Sequence, residues 1–323
     1  MKICVAGEGA FGGVHLQSLA NINGVDVASL AGGVEAATQE LASRWRIPHW
    51  STRLDECLAQ PGIEAVILAT PTPLHAEQAI RCLQAGKHVI VEIPMADSLQ
   101  SAQRVLDAQK ESGRIAMVGH TYRFTPGHRW LRHRFASGEL QLQQLQVQTW
   151  FLRRSNTNMF GQPRSWTDHL LWHHACHTVD LFQYMTGESV DEVCALQGPP
   201  HPVLGIAMDM SIGLRTPSGA LCSLSLSFNN DGPLGSTFRF ICDKGTFVSQ
   251  QREFRDGKGE PINLRELEGP TSPVEALQRE FFAAIRAGRE PNGSVTQSFD
   301  AMRTLDRIQA QLDSRPARQS ASP

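Results

Sequence analysis

Short apolar runs alternate with amphipathic stretches along roughly the first third of the chain. The runs predict buried β-strands at 2–6, 25–31, 64–69, 88–92 and 115–118. Helical spacing between strands, clearest at 98–112, predicts crossover helices. Strands that alternate with helices are typical of α/β proteins with a doubly wound parallel sheet. We therefore predict an N-terminal Rossmann domain over residues 1–119.

The pattern changes after Phe124. Helical spacing recurs at 126–137, 273–287 and 298–313. Shorter runs divided by Gly and Pro turns predict strands at 140–151, 193–197, 208–214, 220–228 and 238–243. This pattern predicts a C-terminal α+β domain over 120–313, with a mostly antiparallel sheet. The Pro- and Ser-rich residues 314–323 are predicted to be a disordered tail.

A glycine-rich turn follows the first strand directly. Its sequence is Gly7-Glu8-Gly9-Ala10-Phe11-Gly12, and a helical pattern begins after it. In a dinucleotide-binding turn the first glycine permits the tight bend, the second lets the backbone approach a pyrophosphate, and the third lets the helix pack on the strand. The pyrophosphate would bind at the helix N-terminus. Gly7, Gly9, Ala10, Phe11 and Gly12 are therefore candidate cofactor-binding residues.

The end of the second strand bears on the choice of cofactor. An acidic side chain there normally binds the ribose 2′-hydroxyl of NAD. Here the strand runs into Gly32 and Gly33, and the first acidic residue is Glu35. The backbone amides of Gly32 and Gly33 are available to an anion, which favours NADP and leaves NAD as the alternative. No arginine follows immediately.

Polar segments follow three of the later strands. They are Thr70–Pro73, Glu92–Pro94 and His120–Arg123. Ligands of doubly wound sheets bind beyond the carboxyl ends of the strands. We therefore expect the three segments to face one crevice.

A histidine-rich segment, Asp168–Asp180, holds four of the twelve histidines within nine residues. In an α-helix, His169, His173 and His177 would form one stripe, with Asp180 on the same side. Imidazole is suited to proton transfer near neutral pH. The four residues are candidate catalytic groups, and the alternative is that one or two of the histidines are buried and hydrogen-bonded while the rest lie at the surface.

Composition excludes several classes of protein. The chain has 323 residues, 30 basic and 32 acidic side chains and a net charge of −2, which argues against a nucleic-acid or membrane-surface partner. No apolar run approaches the ~20 residues of a membrane span, and the start lacks the apolar core of a signal peptide. Seven single cysteines suggest neither disulfides nor a zinc ribbon. We expect a cytoplasmic protein.

Arginines near the histidine segment indicate the charge of the substrate. The guanidinium group binds carboxylates through two parallel hydrogen bonds. The cluster favours a small anionic substrate with more than one carboxylate. The candidate substrate-binding residues are Arg123, Arg153, Arg154, Arg164 and, from the strand-end segment, His120.

Three motifs together resemble the Gfo/Idh/MocA oxidoreductase family. They are GEGAFG, the stretch ATPTPLHAEQAIRCLQAGKHVIVEIP and GHTYRF. The resemblance implies an NAD(P)-dependent dehydrogenase that forms a homodimer or higher homo-oligomer through an open C-terminal sheet. It also implies further cofactor-binding residues, namely Thr70, Pro71, Thr72, His75, Glu92, Ile93 and Pro94.

The chain departs from the family at two positions. The family's Glu-Lys-Pro lysine is Ile93, and its Asp-x-x-x-His motif reads His173-x-x-x-His177. Both departures indicate that the substrate is not an ordinary sugar. Isoleucine cannot move a proton, so we expect acid–base chemistry from His177 or His173, with His169 and Asp180 fixing the ring tautomer and position.

The second domain is similar to that of a subgroup that oxidises a dicarboxylate semialdehyde in aromatic catabolism. The similarity lies in RSWTDHLLWHHACHTVDLF, HPVLGIAMDMSI and LSLSFNNDGPLG. It implies oxidation of the cyclic hemiacetal that the semialdehyde forms, without a covalent thiohemiacetal.

Other functions stay open. The enzyme could act on a sugar or cyclic hydroxy acid, or the chain could be a non-catalytic NADP-binding sensor. The spacing His-x₃-His-x₃-His could also bind zinc, although we expect no metal. Cys176 could act as a nucleophile, although we favour a structural role for it as a small buried residue on the helix.

Overall fold

The computed structural model describes residues 1–157, 161–164, 166–251, 253–264, 269–270 and 272–314. The strands are β1 Lys2–Ala6, β2 Asp26–Ala31, β3 His49–Ser51, β4 Ile63–Leu68, β5 His88–Val91, β6 Ala116–Val118, β7 Leu142–Trp150, β8 Glu192–Gln197, β9 Asp209–Arg215, β10 Leu221–Ser227, β11 Gly235–Cys242, β12 Gly245–Gln250 and β13 Glu253–Asp256. The α-helices are α1 Ala10–Leu19, α2 Glu35–Trp45, α3 Leu54–Leu58, α4 His75–Gln84, α5 Leu99–Ser112, α6 Pro126–Ala136, α7 Cys176–Thr186, α8 Pro273–Ala287 and α9 Val295–Asp313.

The chain divides into two compact units. The first contains residues 1–131, 156–167 and 263–300, and the second contains the rest. The predicted boundary between 119 and 120 therefore places three stretches of this unit, 120–131, 156–167 and 263–300, in the wrong domain. For the last stretch the reason is helix α8, because Leu277, Phe281 and Phe282 are buried in the same apolar core as β1 and α1. Of the predicted tail, only Ser314 lies within the described residues.

The first unit is built on a parallel sheet in the order β3-β2-β1-β4-β5-β6. This is the Rossmann order, so the predicted doubly wound sheet is confirmed. Strand β1 lies between β2 and β4, and Ala6 pairs with Ala31 and Leu68. Because the strands are parallel and in register, their carboxyl ends meet at one edge. The strand β3 was not predicted, since three residues carry too little pattern.

Local signals set the limits of several helices. The Ser98 hydroxyl accepts a hydrogen bond from the backbone of Ser101 at the start of α5, and Gly113 ends that helix with φ of 63°. Helix α8 begins in the same way at Ser272 and ends at Gly288. Serine at the N-cap and glycine in the left-handed conformation after the last turn are the residues expected there.

The second unit is built on a sheet in the order β13-β12-β11-β7-β10-β9-β8. The pairing of β7 with β10 is parallel, and the other described pairings are antiparallel. The prediction of a mostly antiparallel sheet is confirmed.

The two faces of this sheet differ in character. Alternate residues such as Ile212, Leu224 and Phe240 are buried, and helix α7 packs against β7. The opposite face carries Ser211 and Ser223 and forms a shallow depression of about 700 Å³. Homo-oligomerisation through this open face stays a prediction.

Within the part of the chain described, no helix is long and apolar enough to cross a membrane.

The glycine turn between β1 and α1 depends on two close approaches. Gly7 has φ of +122°, and a Cβ atom there would lie 2.3 Å from the carbonyl oxygen of Ala69. A Cβ atom on Gly12 would lie 1.9 Å from the carbonyl oxygen of Gly7. Helix α1 can therefore follow β1 at this distance only if residue 12 has no side chain.

We predict that Gly12→Ala destabilises the protein and Gly13→Ala does not. A methyl group at Gly12 collides with backbone, and overpacking of this kind costs about 1–3 kcal/mol. At Gly13 a Cβ atom meets no described heavy atom within 4 Å, and alanine in a helix is favoured over glycine by up to about 1 kcal/mol. Urea unfolding of the cofactor-free protein measures both effects. Equal unfolding midpoints for the two variants would contradict the packing argument.

Candidate active site

The predicted cofactor-binding residues gather at one edge of the first unit. Pairing of Leu68 with Val91, and of Val91 with Val118, aligns the ends of β4, β5 and β6. The polar segments after these strands therefore begin at the same edge, and the expectation that they face one crevice stays a prediction. The turns after β1 and β2 begin there too, because Ala6, Ala31 and Leu68 are in register.

The glycine turn has the shape that a pyrophosphate requires. Helix α1 begins at Ala10, and a Cβ atom on Gly9 would meet no described heavy atom within 4 Å. Space over Gly9 and a helix N-terminus beside it fit a dinucleotide. Phe11 is 42% exposed, and its ring lies nearly perpendicular to that of His15, with centroids 5.3 Å apart. The residues present therefore fit the cofactor that the sequence predicts.

The Glu8 carboxylate is hydrogen-bonded to the backbone N–H groups just after β2. One carboxylate oxygen, Oε1, accepts hydrogen bonds from the backbone N–H groups of Gly33 and Val34, at 3.0 and 2.9 Å. Gly32 packs against Thr38, whose Oγ1 would lie 1.9 Å from a Cβ atom at position 32. The turn predicted to receive an anion thus holds a carboxylate of the protein itself.

His75 connects the segments that follow β4 and β5. Its Nδ1 lies 2.8 Å from the carbonyl oxygen of Pro94, and its Nε2 lies 2.7 Å from that of Thr70. Complete burial lowers the pKa of His75, although both carbonyl contacts oppose the shift. A neutral ring donates to one of the two carbonyls. Buried Thr72 begins the short 3₁₀ turn after Pro71, just before α4. His75 therefore links the two strand-end segments, and its role in cofactor binding stays a prediction.

Glu92 is held by a buried chain of polar groups. Its Oε1 lies 2.8 Å from His15 Nε2, and the Gln278 side-chain amide donates to both His15 Nδ1 and the His15 carbonyl, at 2.9 and 3.2 Å. Since Nδ1 accepts, Nε2 carries the proton and donates to the carboxylate. Glu92 also packs on Gly119, where a Cβ atom would lie 2.6 Å from Oε2. The acidic residue of the Glu-Ile-Pro segment is thus fixed by a neutral histidine.

Two predicted substrate residues lie after β6. His120 is 3% exposed and Arg123 is 4% exposed. The Arg123 guanidinium donates to the side-chain oxygens of Asn292 and Gln297, at 3.1 and 2.9 Å. These bonds tie the segment to the loop before α9 and to the first turn of that helix.

The histidine segment starts differently from the prediction. His169 has an extended backbone, with φ of −103° and ψ of 147°, and a π-helical turn spans Leu170–Ala175 before α7 begins at Cys176. The predicted single α-helix over Asp168–Asp180, with three histidines in one α-helical stripe, is therefore wrong at its first turn. π-helical turns are frequent at functional sites.

His169 and His173 still lie together. Their rings stack with centroids 6.0 Å apart, and His173 Nδ1 accepts a hydrogen bond of 2.9 Å from the backbone N–H of His169. Because Nδ1 accepts, the neutral His173 ring carries its proton on Nε2. Partial burial lowers the pKa of His169, although the Asp168 carboxylate opposes the shift. His173 thus satisfies the backbone N–H of His169, the residue at the N-cap of the π-helical turn.

His177 lies one helical turn after His173. It is half-buried on α7, and Asp180 on the same helix is 1% exposed. Cys176 is buried beside them. Among the residues described, no group of three His, Cys, Asp or Glu side chains could hold a metal ion.

Arg153 already binds a carboxylate of the protein. Its NH1 and NH2 lie 2.6 and 2.7 Å from the two oxygens of Asp168, and its guanidinium lies 4.7 Å from the centre of the Phe228 ring. His174 Nε2 lies 3.3 Å from the same carboxylate, and its ring packs between Phe151 and Phe228. This cluster fixes the start of the histidine segment on the sheet of the second unit.

The other two arginines have different surroundings. Arg154 is exposed, and its NH1 donates to the backbone carbonyl of Arg153 and the side-chain oxygen of Asn229, both at 3.0 Å. Arg164 belongs to the first unit and lies over the ring of Trp166, 4.9 Å from its centre. Arg154 and Arg153 thus belong to one unit, while Arg123 and Arg164 belong to the other.

Sequence reasoning missed four side chains that shape these sites. They are Glu8, His15, Asp168 and Gln278. Glu8 lies inside the glycine motif, whose pattern assigns roles mainly to the glycines, and Asp168 only marks the start of the histidine segment. His15 and Gln278 are 263 residues apart, so no local pattern could pair them.

The sequence matches known families along most of its length. Residues 1–120 match the oxidoreductase family with an NAD-binding Rossmann fold, and residues 126–268 match the C-terminal domain of bacterial oxidoreductases. One relative is the 4-carboxy-2-hydroxymuconate-6-semialdehyde dehydrogenase of Sphingobium sp. strain SYK-6, which is 51% identical over 97% of this chain and 99% of its own. An inositol 2-dehydrogenase of Mycolicibacterium smegmatis is 28% identical over 76% of this chain and 71% of its own.

Solved structures share the fold. An oxidoreductase from Agrobacterium radiobacter, crystallised with NAD⁺, L-tartaric acid and magnesium, superposes with a TM-score of 0.82 at 16% identity and covers 97% of this chain and 96% of its own. The chain therefore belongs to the Gfo/Idh/MocA oxidoreductase family and is an NAD(P)-dependent dehydrogenase.

Proposed function

We propose that the protein oxidises the cyclic hemiacetal of 4-carboxy-2-hydroxymuconate-6-semialdehyde to 2-pyrone-4,6-dicarboxylate, with NADP or NAD as the hydride acceptor. This reaction belongs to the breakdown of protocatechuate by 4,5-cleavage. The observation that carries the proposal is the 51% identity, over 97% of this chain, to a dehydrogenase named for that substrate. Ile93 stands where the family motif has a lysine, and this replacement is consistent with a substrate other than an ordinary sugar.

The chemistry requires a hydride acceptor and a proton acceptor. The hemiacetal carbon carries one C–H bond and one O–H group, so loss of a hydride and a proton leaves the carbonyl of the lactone. A bound nicotinamide accepts the hydride. The side chains supply the rest, and Ile93 cannot accept the proton.

His177 is the base that this arrangement favours. The neutral ring of His173 already carries a proton on Nε2, since its Nδ1 accepts from the backbone of His169. His173 is therefore placed in our proposal as a hydrogen-bond donor to the anionic substrate. His177 takes the hemiacetal proton, as the histidine of the family motif does.

The substrate's two carboxylates need cationic or donor groups. Arg153 is already ion-paired with Asp168, so we assign it a positioning role for the histidine segment. Arg154 is exposed and bound to neutral oxygen atoms, which makes it the candidate for a substrate carboxylate in the second unit. Arg123, Arg164 and His120 stay predictions for the first unit.

A direct assay tests the reaction. The enzymatically generated ring-cleavage product of protocatechuate is mixed with the protein and either NADP or NAD, and absorbance of the reduced nicotinamide is followed. We expect turnover, with the lactone dicarboxylate as the product identified by mass spectrometry. Turnover of inositols or aldoses instead would favour a sugar-type dehydrogenase, and cofactor binding without turnover of any substrate would favour a sensor.

Replacing the base should abolish most turnover and leave cofactor binding intact. We expect His177→Ala to lower kcat by about 10²–10⁴-fold, because general base catalysis contributes that much. Cofactor binding, measured by calorimetry, should be unchanged. The matched control is His133→Ala, since His133 is an exposed histidine on α6. Wild-type kcat in His177→Ala would exclude this residue as the base.

Restoring the family's aspartate should weaken binding of the substrate more than it slows the reaction. His173→Asp replaces a neutral donor with a negative charge, and a dicarboxylate is repelled by it. We expect KM for the semialdehyde to rise at least about tenfold with a smaller change in kcat, which separates binding from chemistry. His133→Asp adds the same charge at an exposed position and should leave KM near the wild-type value. An unchanged KM in His173→Asp would show that His173 lies away from the substrate.

A further inference from the structure

The carboxylate of Glu8 stands at the point where NAD and NADP differ. The residue lies in the middle of the glycine turn, yet its Oε1 reaches the backbone N–H groups of Gly33 and Val34, 25 and 26 residues further along. Those groups follow the end of β2 at Ala31. In a dinucleotide-binding Rossmann sheet this place receives the adenosine ribose.

NAD and NADP require opposite hydrogen-bonding groups at the position that receives the adenosine ribose. The 2′-hydroxyl of NAD donates to an acidic side chain, whereas the 2′-phosphate of NADP needs N–H donors and is repelled by a carboxylate. The chain has no acidic residue directly after β2, where sequence reasoning would look for one. Glu8 supplies the negative charge from another strand end.

We propose that Glu8 is a specificity-determining residue for the cofactor. Its carboxylate occupies the N–H groups of Gly33 and Val34, which are the donors that a 2′-phosphate would use. NAD binds with Glu8 in place. NADP binds only when the carboxylate leaves the two donors, so Glu8 lowers the affinity for NADP relative to NAD. The inference rests on the nicotinamide dependence of the enzyme and is independent of the identity of its substrate.

Two substitutions separate the effect of the negative charge of Glu8 from the effect of its hydrogen bonds to the N–H groups of Gly33 and Val34. Glu8→Gln removes the charge and keeps an oxygen that can accept from the same N–H groups. Glu8→Ala removes the charge and also frees the donors. The preference for NADP should therefore increase from wild type to Glu8→Gln and again to Glu8→Ala.

Glu35 provides a matched control. It is the first acidic residue after β2, and it is exposed in the first turn of α2. Glu35→Gln changes the net charge by the same amount close to the same turn. A general electrostatic effect would appear in both glutamine variants, whereas a local effect would appear only in Glu8→Gln.

The test is calorimetric and needs no turnover. Dissociation constants are measured for NADP and NAD, and for the fragments adenosine 2′,5′-bisphosphate and 5′-AMP, with each variant. We expect Glu8→Gln to improve binding of the two 2′-phosphorylated ligands relative to their partners by about tenfold, as removal of a neighbouring like charge implies. Glu35→Gln should change the ratio by less than about threefold, as expected of an exposed charge that is screened by solvent. The gain in Glu8→Gln should shrink as ionic strength rises.

Two results would overturn the inference. One is an unchanged ratio in both Glu8 variants, and the other is an equal change in Glu35→Gln. Thermal unfolding of the cofactor-free variants checks that each is folded. If Glu8→Ala unfolds, Glu8→Gln and the charge-keeping Glu8→Asp still decide the question, because Glu8→Asp should keep the wild-type preference. If the protein does not oxidise the semialdehyde, the dissociation constants for the cofactors and their fragments still test the role of Glu8.

Discussion

The contact between the Gly7 carbonyl and Gly12 is the constraint from which the first unit is built. It sets how closely α1 follows β1, because no side chain fits between them. With the helix at that distance, His15 reaches both Glu92 and Gln278. On the other side of the turn, Glu8 reaches the end of β2. One close approach of backbone thus links three strand ends and a helix that comes more than 250 residues later.

The sequence predicted the parts of the fold that depend on local pattern. Apolar runs located β1, β4 and β5 to within a residue or two, and the alternation of strands with helices implied the parallel order. The parallel order in turn predicted that segments after different strands share one edge. The return of α8 to the first unit could not be predicted, because it depends on tertiary packing of Phe281 and Phe282.

The candidate site shows the same division between local and long-range information. The residue types were recognised from motifs, but their hydrogen-bond partners were not. Arg153 was predicted to bind a substrate carboxylate, and the structure pairs it with Asp168, fifteen residues later. The first turn of the histidine segment was mistaken for α-helix because spacing alone cannot show that His173 caps the N–H of His169. The role of each polar residue depends on which neighbouring group forms its hydrogen bonds in the folded protein.

The two departures from the family pattern, at Ile93 and His173, can be explained together by the hydrogen-bonding groups and charges that they change. The resemblance implies a cation at the position of Ile93 in one motif and an anion at the position of His173 in the other, so the summed charge of the two motifs is unchanged. What is lost is a lysine that could exchange a proton and an aspartate that would repel a carboxylate. What is gained at position 173 is a neutral ring whose Nδ1 is occupied and whose Nε2 donates. In our proposal, these two replacements favour an anionic substrate that already carries its own hydroxyl at the carbon to be oxidised, and they leave His177 as the side chain that takes the proton.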